Sequence, residues 1–326
     1  MKILYAASNN ENAKIQLARF MEAVKDKPYT VKVAAYKKSS PSINIDWTLD
    51  CLLNVFKPEH ITLDNDNLST YYDQIKYYNP DLVISDLEFF TSHIANVLGK
   101  PIWQCSSSLL NFALTNNYKY DLGVFSQYAY LVSKNPQHIQ RINNVLDNSD
   151  RTLLYSHFGD CQLAPEVKPK FEWVRPYHRV GKTSIPCQHN IVAGMLGSNK
   201  KIIELLRQHP DSVCFTDFYY ESYPNPQIKD IRNHEEYFCN LKNSNLFVNA
   251  GQASFLADAY YNSKYSVVLT NTEDLECVVN AAISEKLGLS KSIYTITEDL
   301  KPSMDIQVVS SLGEKSKFLH ERIEEL

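Results

Sequence analysis

The chain has 326 residues, 44% of them hydrophobic and 21% charged, with a formal net charge of −4. That is the composition of an ordinary globular protein, and the length favours two cores over one. Seven scattered cysteines, odd in number and never spaced Cys-x-x-Cys, argue against a disulfide framework or a zinc ribbon.

In chain order, residues 2–7 form a buried-type strand, and residues 13–24 carry apolar side chains at helical spacing. Residues 31–36 read as a strand, 49–55 as a helix, 60–63 as a short strand and 68–78 as a helix that stops before Pro80. A strand follows at 81–85, ending at Asp86, then a helix at 89–98 closed by Gly99, then a strand at 101–105. This alternation predicts a mainly parallel sheet with helices on both faces. Residues 107–150 are more helical and rich in Tyr and Asn, suited to an insertion or an acceptor wall. Residues 152–156 are the last strand of the first half, and the Pro- and Lys-rich stretch 162–186 reads as a connection.

The second half restarts the pattern. Strands are expected at 190–194, 212–216, 246–248, 265–269 and 292–297, with helices at 200–207, 235–242, after Gly251 and after Glu276. A Pro/Tyr loop spans 219–227, and an amphipathic helix closes the chain at 313–326. No apolar run approaches the roughly 18 residues of a membrane span, and the N-terminal run is too short for a signal peptide, so the expected location is cytoplasmic.

Chemistry concentrates between Asn245 and Asn280. There a strand ends at Gly251, a helix opens, a second strand ends in a polar segment, and another helix begins. In open α/β sheets ligands bind at the carboxyl ends of strands, and a helix start presents free N–H groups and a positive dipole end to an anion such as a diphosphate. Gly251, Gln252, Ala253 and Ser254 would cradle the phosphates, and Asp258 would accept from ribose hydroxyls. Thr272, Glu273, Asp274 and Glu276 would face the sugar from the turn after the second strand.

Gly251-Gln-Ala-Ser254-Phe-Leu-Ala-Asp258-Ala259 resembles the donor loop of nucleotide-sugar glycosyltransferases of the GT-B fold. The similarity is to the group holding the lipid II-forming N-acetylglucosaminyltransferase and the UDP-glycosyltransferases. Glu276-Cys277-Val-Val-Asn280-Ala281, followed by Gly288, is similar to a second segment of that group, and Gly197-Ser198 to its Gly-Ser turn. Weaker likeness covers nearly the whole chain. The resemblance implies an α/β fold of two Rossmann-like domains facing across a cleft. The first, 1–185, would bind the acceptor. The second, 186–326, would bind the donor, with the last helix crossing back. It also implies a UDP-sugar donor, Glu276 and Asn280 among the donor contacts, inversion at the anomeric carbon, no bound metal and no cofactor besides the nucleotide sugar.

Two departures stand out. Cys277 replaces the group's Gln, removing an amide that grips a sugar hydroxyl, and Lys14 stands where relatives carry a His near the acceptor. A lysine protonated at neutral pH is a poor base. The candidate bases are Asp86 and Glu11, with Glu88 beside the acceptor and His93 in the following helix.

Residues 1–185 hold 20 Lys/Arg against 18 Asp/Glu, and residues 186–326 hold 13 against 19, so bulk charge does not draw a polyanion. One local patch does: Lys168 to Lys182 sets five Lys/Arg, Lys170 and Arg175 among them, between Phe171, Trp173 and Tyr177. Charge interleaved with stacking faces suits a nucleic acid, so a hydroxymethylated pyrimidine in DNA is one expected acceptor. A saccharide, lipid or small molecule is the alternative. A nucleotide-sugar epimerase and a non-catalytic nucleotide-sugar-binding protein are the competing classes. A P-loop, a dinucleotide fingerprint and a Gly-x-Ser-x-Gly elbow are all missing from the sequence.

Overall fold

The computed structural model describes residues 1–8, 11–36, 45–49, 65–134, 136–158, 161, 163–165, 171–178, 181, 189–195, 199–216, 227–231, 233–270, 274–293 and 316–326. The chain divides into two compact units. One comprises Met1–Asn116, Phe125–Arg175 and Ser316–Leu326; the other comprises Asn117–Val124 and Pro176–Lys315.

The first unit is built on a seven-stranded parallel sheet. Its strands are β1 (Lys2–Ala6), β2 (Thr30–Tyr36), β3 (Trp47–Leu49), β4 (Leu82–Ser85), β5 (Ile102–Ser106), β6 (Arg151–Tyr155) and β7 (Phe171–Val174), in the order β3-β2-β1-β4-β5-β6-β7. Helices α1 (Glu11–Val24), α2 (Asn65–Tyr78) and α3 (Phe89–Val97) supply crossovers. Four more follow β5: α4 (Leu110–Ala113), α5 (Asn116–Asp121), which from Asn117 belongs to the second unit, α6 (Phe125–Lys134) and α7 (Pro136–Asp147). Covering both faces of a parallel sheet demands uninterrupted apolar strands, and Ile3 to Ala6 and Leu82 to Ile84 are each 0% exposed. Strand order reverses between β1 and β4, a topological switch point.

The second unit carries six parallel strands: β8 (Ile191–Met195), β9 (Ser212–Thr216), β10 (Ile228–Asp230), β11 (Leu246–Asn249), β12 (Ser266–Leu269) and β13 (Ser290–Ile293). Their order is β10-β9-β8-β11-β12-β13, with the switch point between β8 and β11. Its helices are α8 (Lys200–Gln208), α9 (His234–Asn243), α10 (Ala253–Tyr261) and α11 (Leu275–Lys286). Gly194 on β8 is required by packing: a Cβ there would lie 2.8 Å from the ring of Phe255, which α10 lays on the sheet.

Several elements differ from expectation. Leu49 ends strand β3 instead of opening a helix. Phe171–Val174 is the seventh strand, not a connection; four residues are too few to display a period among flanking Pro and Lys. The strand expected at 292–297 begins at Ser290. The closing helix shrinks to α12 (Leu319–Ile323), where Glu321 accepts from the Phe318 N–H and Leu319 and Ile323 are buried. Residues 60–63 and most of 219–227 lie outside the described residues.

Candidate functional site

Three helix starts share one edge of the second sheet, because α8, α10 and α11 follow strands β8, β11 and β12, which are neighbours. Between β11 and α10 the chain turns at Gly251, φ +93°, whose N–H donates to Asn249 Oδ1 at 2.8 Å. A Cβ on Gly251 would stand 2.7 Å from the Cys277 carbonyl oxygen, so the turn rests directly on the first turn of α11. Only glycine meets both conditions. The N-cap of α10, Gln252, makes no side-chain cap bond. Asp274 caps α11 by accepting from the Cys277 N–H at 3.3 Å. Asn199 caps α8 by accepting from the N–H groups of Lys201 and Ile202.

Near these starts lie buried polar atoms with no hydrogen-bond partner among the described residues: Asn249 Nδ2, Gln252 Oε1, Thr270 Oγ1 and Asn280 Nδ2. Each belongs to a residue at most 7% exposed. Leaving such a group unsatisfied costs about 1–3 kcal/mol, a cost that a polar ligand would remove. Lys201 extends from α8 and donates to the Thr270 carbonyl at 3.0 Å. Asn249, Thr270 and Lys201 were not singled out by the sequence reading. Strand-end position marks the first two, whereas a lysine at a helix start carries no recognisable signal.

Of the expected donor residues, Gly251, Gln252, Ala253 and Ser254 fall together at the β11–α10 turn, all buried. Glu276 and Asn280 lie one turn apart on α11, each 2% exposed. The Cys277 thiol is buried there as well, and burial pushes its pKa well up, followed in effect by the neighbouring Asp274 and Glu276 charges. Asp258 lies further along the helix. It is 0% exposed and its Oδ2 accepts from the Tyr237 hydroxyl of α9 at 3.0 Å. Five residues beyond Ala253, it stands about 7.5 Å along the axis from the helix start. Gly197, Ser198, Thr272 and Glu273 lie outside the described residues.

In the first unit, Asp86 sits at the switch point itself, directly after β4. It is 2% exposed; its N–H donates to the Ala6 carbonyl, and Ser8 Oγ donates to its Oδ2 at 3.2 Å. Burial raises its pKa to about 6, against the lowering effect of hydrogen bonds from Ser106 and Ser8. Leu87 follows at φ +52°, a left-handed conformation that costs a branched residue energy, and its N–H is held by Gln104 Oε1 at 3.2 Å. Gln104 in turn donates to Ser92 Oγ at 2.9 Å. Asn12 Nδ2 closes the far side of the cluster on Ser107 Oγ at 2.6 Å.

The remaining acceptor-side expectations fare differently. Glu88 caps α3, accepting from Phe90 N–H at 3.1 Å and Thr91 N–H at 2.6 Å, so its carboxylate is committed to the helix and not to an acceptor. Lys14 is buried on α1, and His93 is exposed on α3. Glu11 begins α1, but its side chain lies outside what is described. Trp173 packs against the core of the first unit, the Arg175 guanidinium lies 3.9 Å from the centre of the Phe318 ring, and Tyr177 is 7% exposed. These side chains are therefore committed to packing, not arrayed as a stacking platform. Lys170 lies outside the described residues.

No protein-family model and no curated protein matches this sequence. Solved structures do. The chain is similar to SsfS6, a glycosyltransferase of Streptomyces sp. SF2575, with a TM-score of 0.55 and 12% identity over 90% of this chain and 87% of that one. Spinosyn forosaminyltransferase SpnP gives 0.56 and 14% over 92% and 87%, and spinosyn rhamnosyltransferase SpnG 0.55 and 12% over 90% and 86%. SsfS6 and SpnG have each been solved with thymidine diphosphate, and SpnG with spinosyn aglycone. The chain thus has the α/β fold of GT-B glycosyltransferases, the fold implied by the donor-loop resemblance.

Proposed function

We propose that this protein transfers a glycosyl group from a nucleoside diphosphate sugar to a hydroxyl acceptor. The observation that carries the reading is the edge of the second sheet, where three helix starts lie near buried polar atoms lacking partners among the described residues. N–H groups and dipole ends suit the diphosphate; Asn280 and Glu276 suit sugar hydroxyls. In the transfer, Asp86 takes the acceptor proton as the acceptor oxygen bonds to the anomeric carbon. The bond from that carbon to the phosphate oxygen breaks, leaving its electron pair on the diphosphate and inverting the centre. The reading calls for no cofactor besides the nucleotide sugar.

For the acceptor, a hydroxylated compound with an apolar face is better supported than DNA. Trp173, Arg175 and Tyr177 are committed to packing, which removes the stacking argument for a nucleic acid. Helix α4 begins just past the end of β5, the strand beside Asp86's own, and its Phe112 meets Tyr128 of α6 edge-on at 6.4 Å. Helix α6 has no fully buried residue and offers partly covered aromatic and aliphatic side chains. The sequence resemblance favours uridine in the donor, while SsfS6 and SpnG accommodate thymidine diphosphate.

The test is release of nucleoside diphosphate from UDP- and TDP-sugars, alone, with hydroxylated aromatic aglycones, and with hydroxymethylated DNA. Release that depends on an aglycone is expected. Release confined to the DNA arm would reinstate nucleic acid as acceptor. An isomerised sugar without acceptor would identify an epimerase. Tight binding with no turnover in any arm would identify a non-catalytic binding protein.

A further inference from the structure

We infer that Lys201 is the cation that holds the donor's diphosphate and receives the charge of the leaving group, an inference that rests on the donor-site reading of the second unit. No donor-loop motif includes this residue. Its position is fixed at two points: its N–H donates to the Asn199 cap at 3.1 Å, and its ammonium donates to the Thr270 carbonyl at 3.0 Å. Helix α8 follows β8, and Thr270 directly follows β12. Because β11 lies between those two strands, the contact joins the segments that follow β8 and β12 on either side of β11. At the end of β11 lies the Asn249–Gly251 turn, against which the first turn of α11 packs.

The local electrostatics call for an anion at this point. A helix start favours Asp or Glu and disfavours a cation. Helix α8 nevertheless opens Lys200-Lys201 with no acidic residue in its first turn, and α10 has none in its first turn either. A local rule broken without a local benefit is the mark of a functional position. The second observation is independent of charge: Asn249 Nδ2, Gln252 Oε1, Thr270 Oγ1 and Asn280 Nδ2 are buried near the same ends without partners among the described residues. The amide donors can bond phosphate or sugar oxygens, and the Gln252 acceptor can take a sugar hydroxyl. As the bond from anomeric carbon to phosphate oxygen breaks, the diphosphate gains one negative charge. An ammonium already in place stabilises that charge more than it stabilises the bound donor, which raises turnover as well as affinity.

The experiment measures binding of UDP, TDP and the corresponding nucleosides by calorimetry, for the native protein, Lys201→Met and Lys201→Arg. The expected result is a loss of about 10- to 100-fold in diphosphate affinity for Lys201→Met, with nucleoside affinity and melting temperature unchanged and Lys201→Arg close to native. In the transfer assay, kcat of Lys201→Met should fall along with donor affinity, and a chelator should not mimic the effect. Equal diphosphate affinity in native protein and Lys201→Met would overturn the role of Lys201 and leave the donor site standing. Native protein that binds neither diphosphate would overturn both. Should Lys201→Met not fold, Lys201→Gln decides. Unchanged diphosphate affinity in Lys201→Gln would sink the inference.

Discussion

Asp86 is held in a way that costs the fold something and serves a base well. Its carboxylate is 2% exposed with pKa raised to about 6, so the folded state binds that proton more tightly than the unfolded chain does. The stability tied to this group is full below the unfolded value near 3.8 and is lost as pH rises through about 6. At neutral pH the buried charge costs on the order of 3 kcal/mol. Two outcomes follow at this single position. Transfer rate in the native protein should climb tenfold per pH unit below about 6 and level off above it. Asp86→Asn should abolish most of the rate, by about 100-fold or more, while melting at a higher temperature than native at pH 8. That melting advantage should shrink toward pH 4. A pH-independent difference in melting temperature would show that the carboxylate is not carrying a buried charge.

At the scale of elements, the meeting of the β11–α10 turn with α11 can be separated into its parts. Gly251 and Gly288 both have positive φ, +93° and +71°, but a Cβ meets the Cys277 carbonyl at 2.7 Å only at Gly251 and meets nothing within 4 Å at Gly288. Gly288→Ala should therefore cost about 1 kcal/mol from backbone strain alone. Gly251→Ala should cost more, about 2–4 kcal/mol, and also weaken nucleoside diphosphate binding, since α10 and α11 must part. Urea unfolding and calorimetry on both variants check the difference. This junction was legible in the sequence because a glycine after an apolar run has few other uses, and the α/β alternation was legible because parallel strands must be apolar throughout. Other parts were hidden for physical reasons. Phe171–Val174 is too short to show a period. Asp258 has the spacing of a ribose ligand, but its burial against Tyr237 depends on where α9 packs, which no local pattern encodes. Lys201 matters only through Thr270, 69 positions away. Trp173 and Arg175 looked free for binding because their partners, the first unit's core and Phe318, are distant in the chain.

Across the whole molecule, the two units are not two halves of the chain. Residues Ser316–Leu326 belong with the first: Lys317 bridges to Val174, Leu319 and Ile323 are buried, and Arg322 pairs with Glu172. Deleting this segment should destabilise the first unit by about 3–6 kcal/mol, from two aliphatic side chains of burial. Nucleoside diphosphate binding by the second should survive. Calorimetric melting should then resolve an early transition that the ligand does not move and a later one that it does. Asn117–Val124 makes the reverse exchange, with Tyr118 beneath the Lys286 ammonium and Asp121 3.6 Å from it.

The same arrangement reverses the order in which the protein is completed during synthesis. Domains ordinarily fold as they leave the ribosome, the N-terminal one first. Here the first unit lacks Ser316–Leu326 until after the second has all its residues, at Lys315. The nascent chain must therefore keep its first sheet waiting, one helix short, while a unit begun later is finished before it.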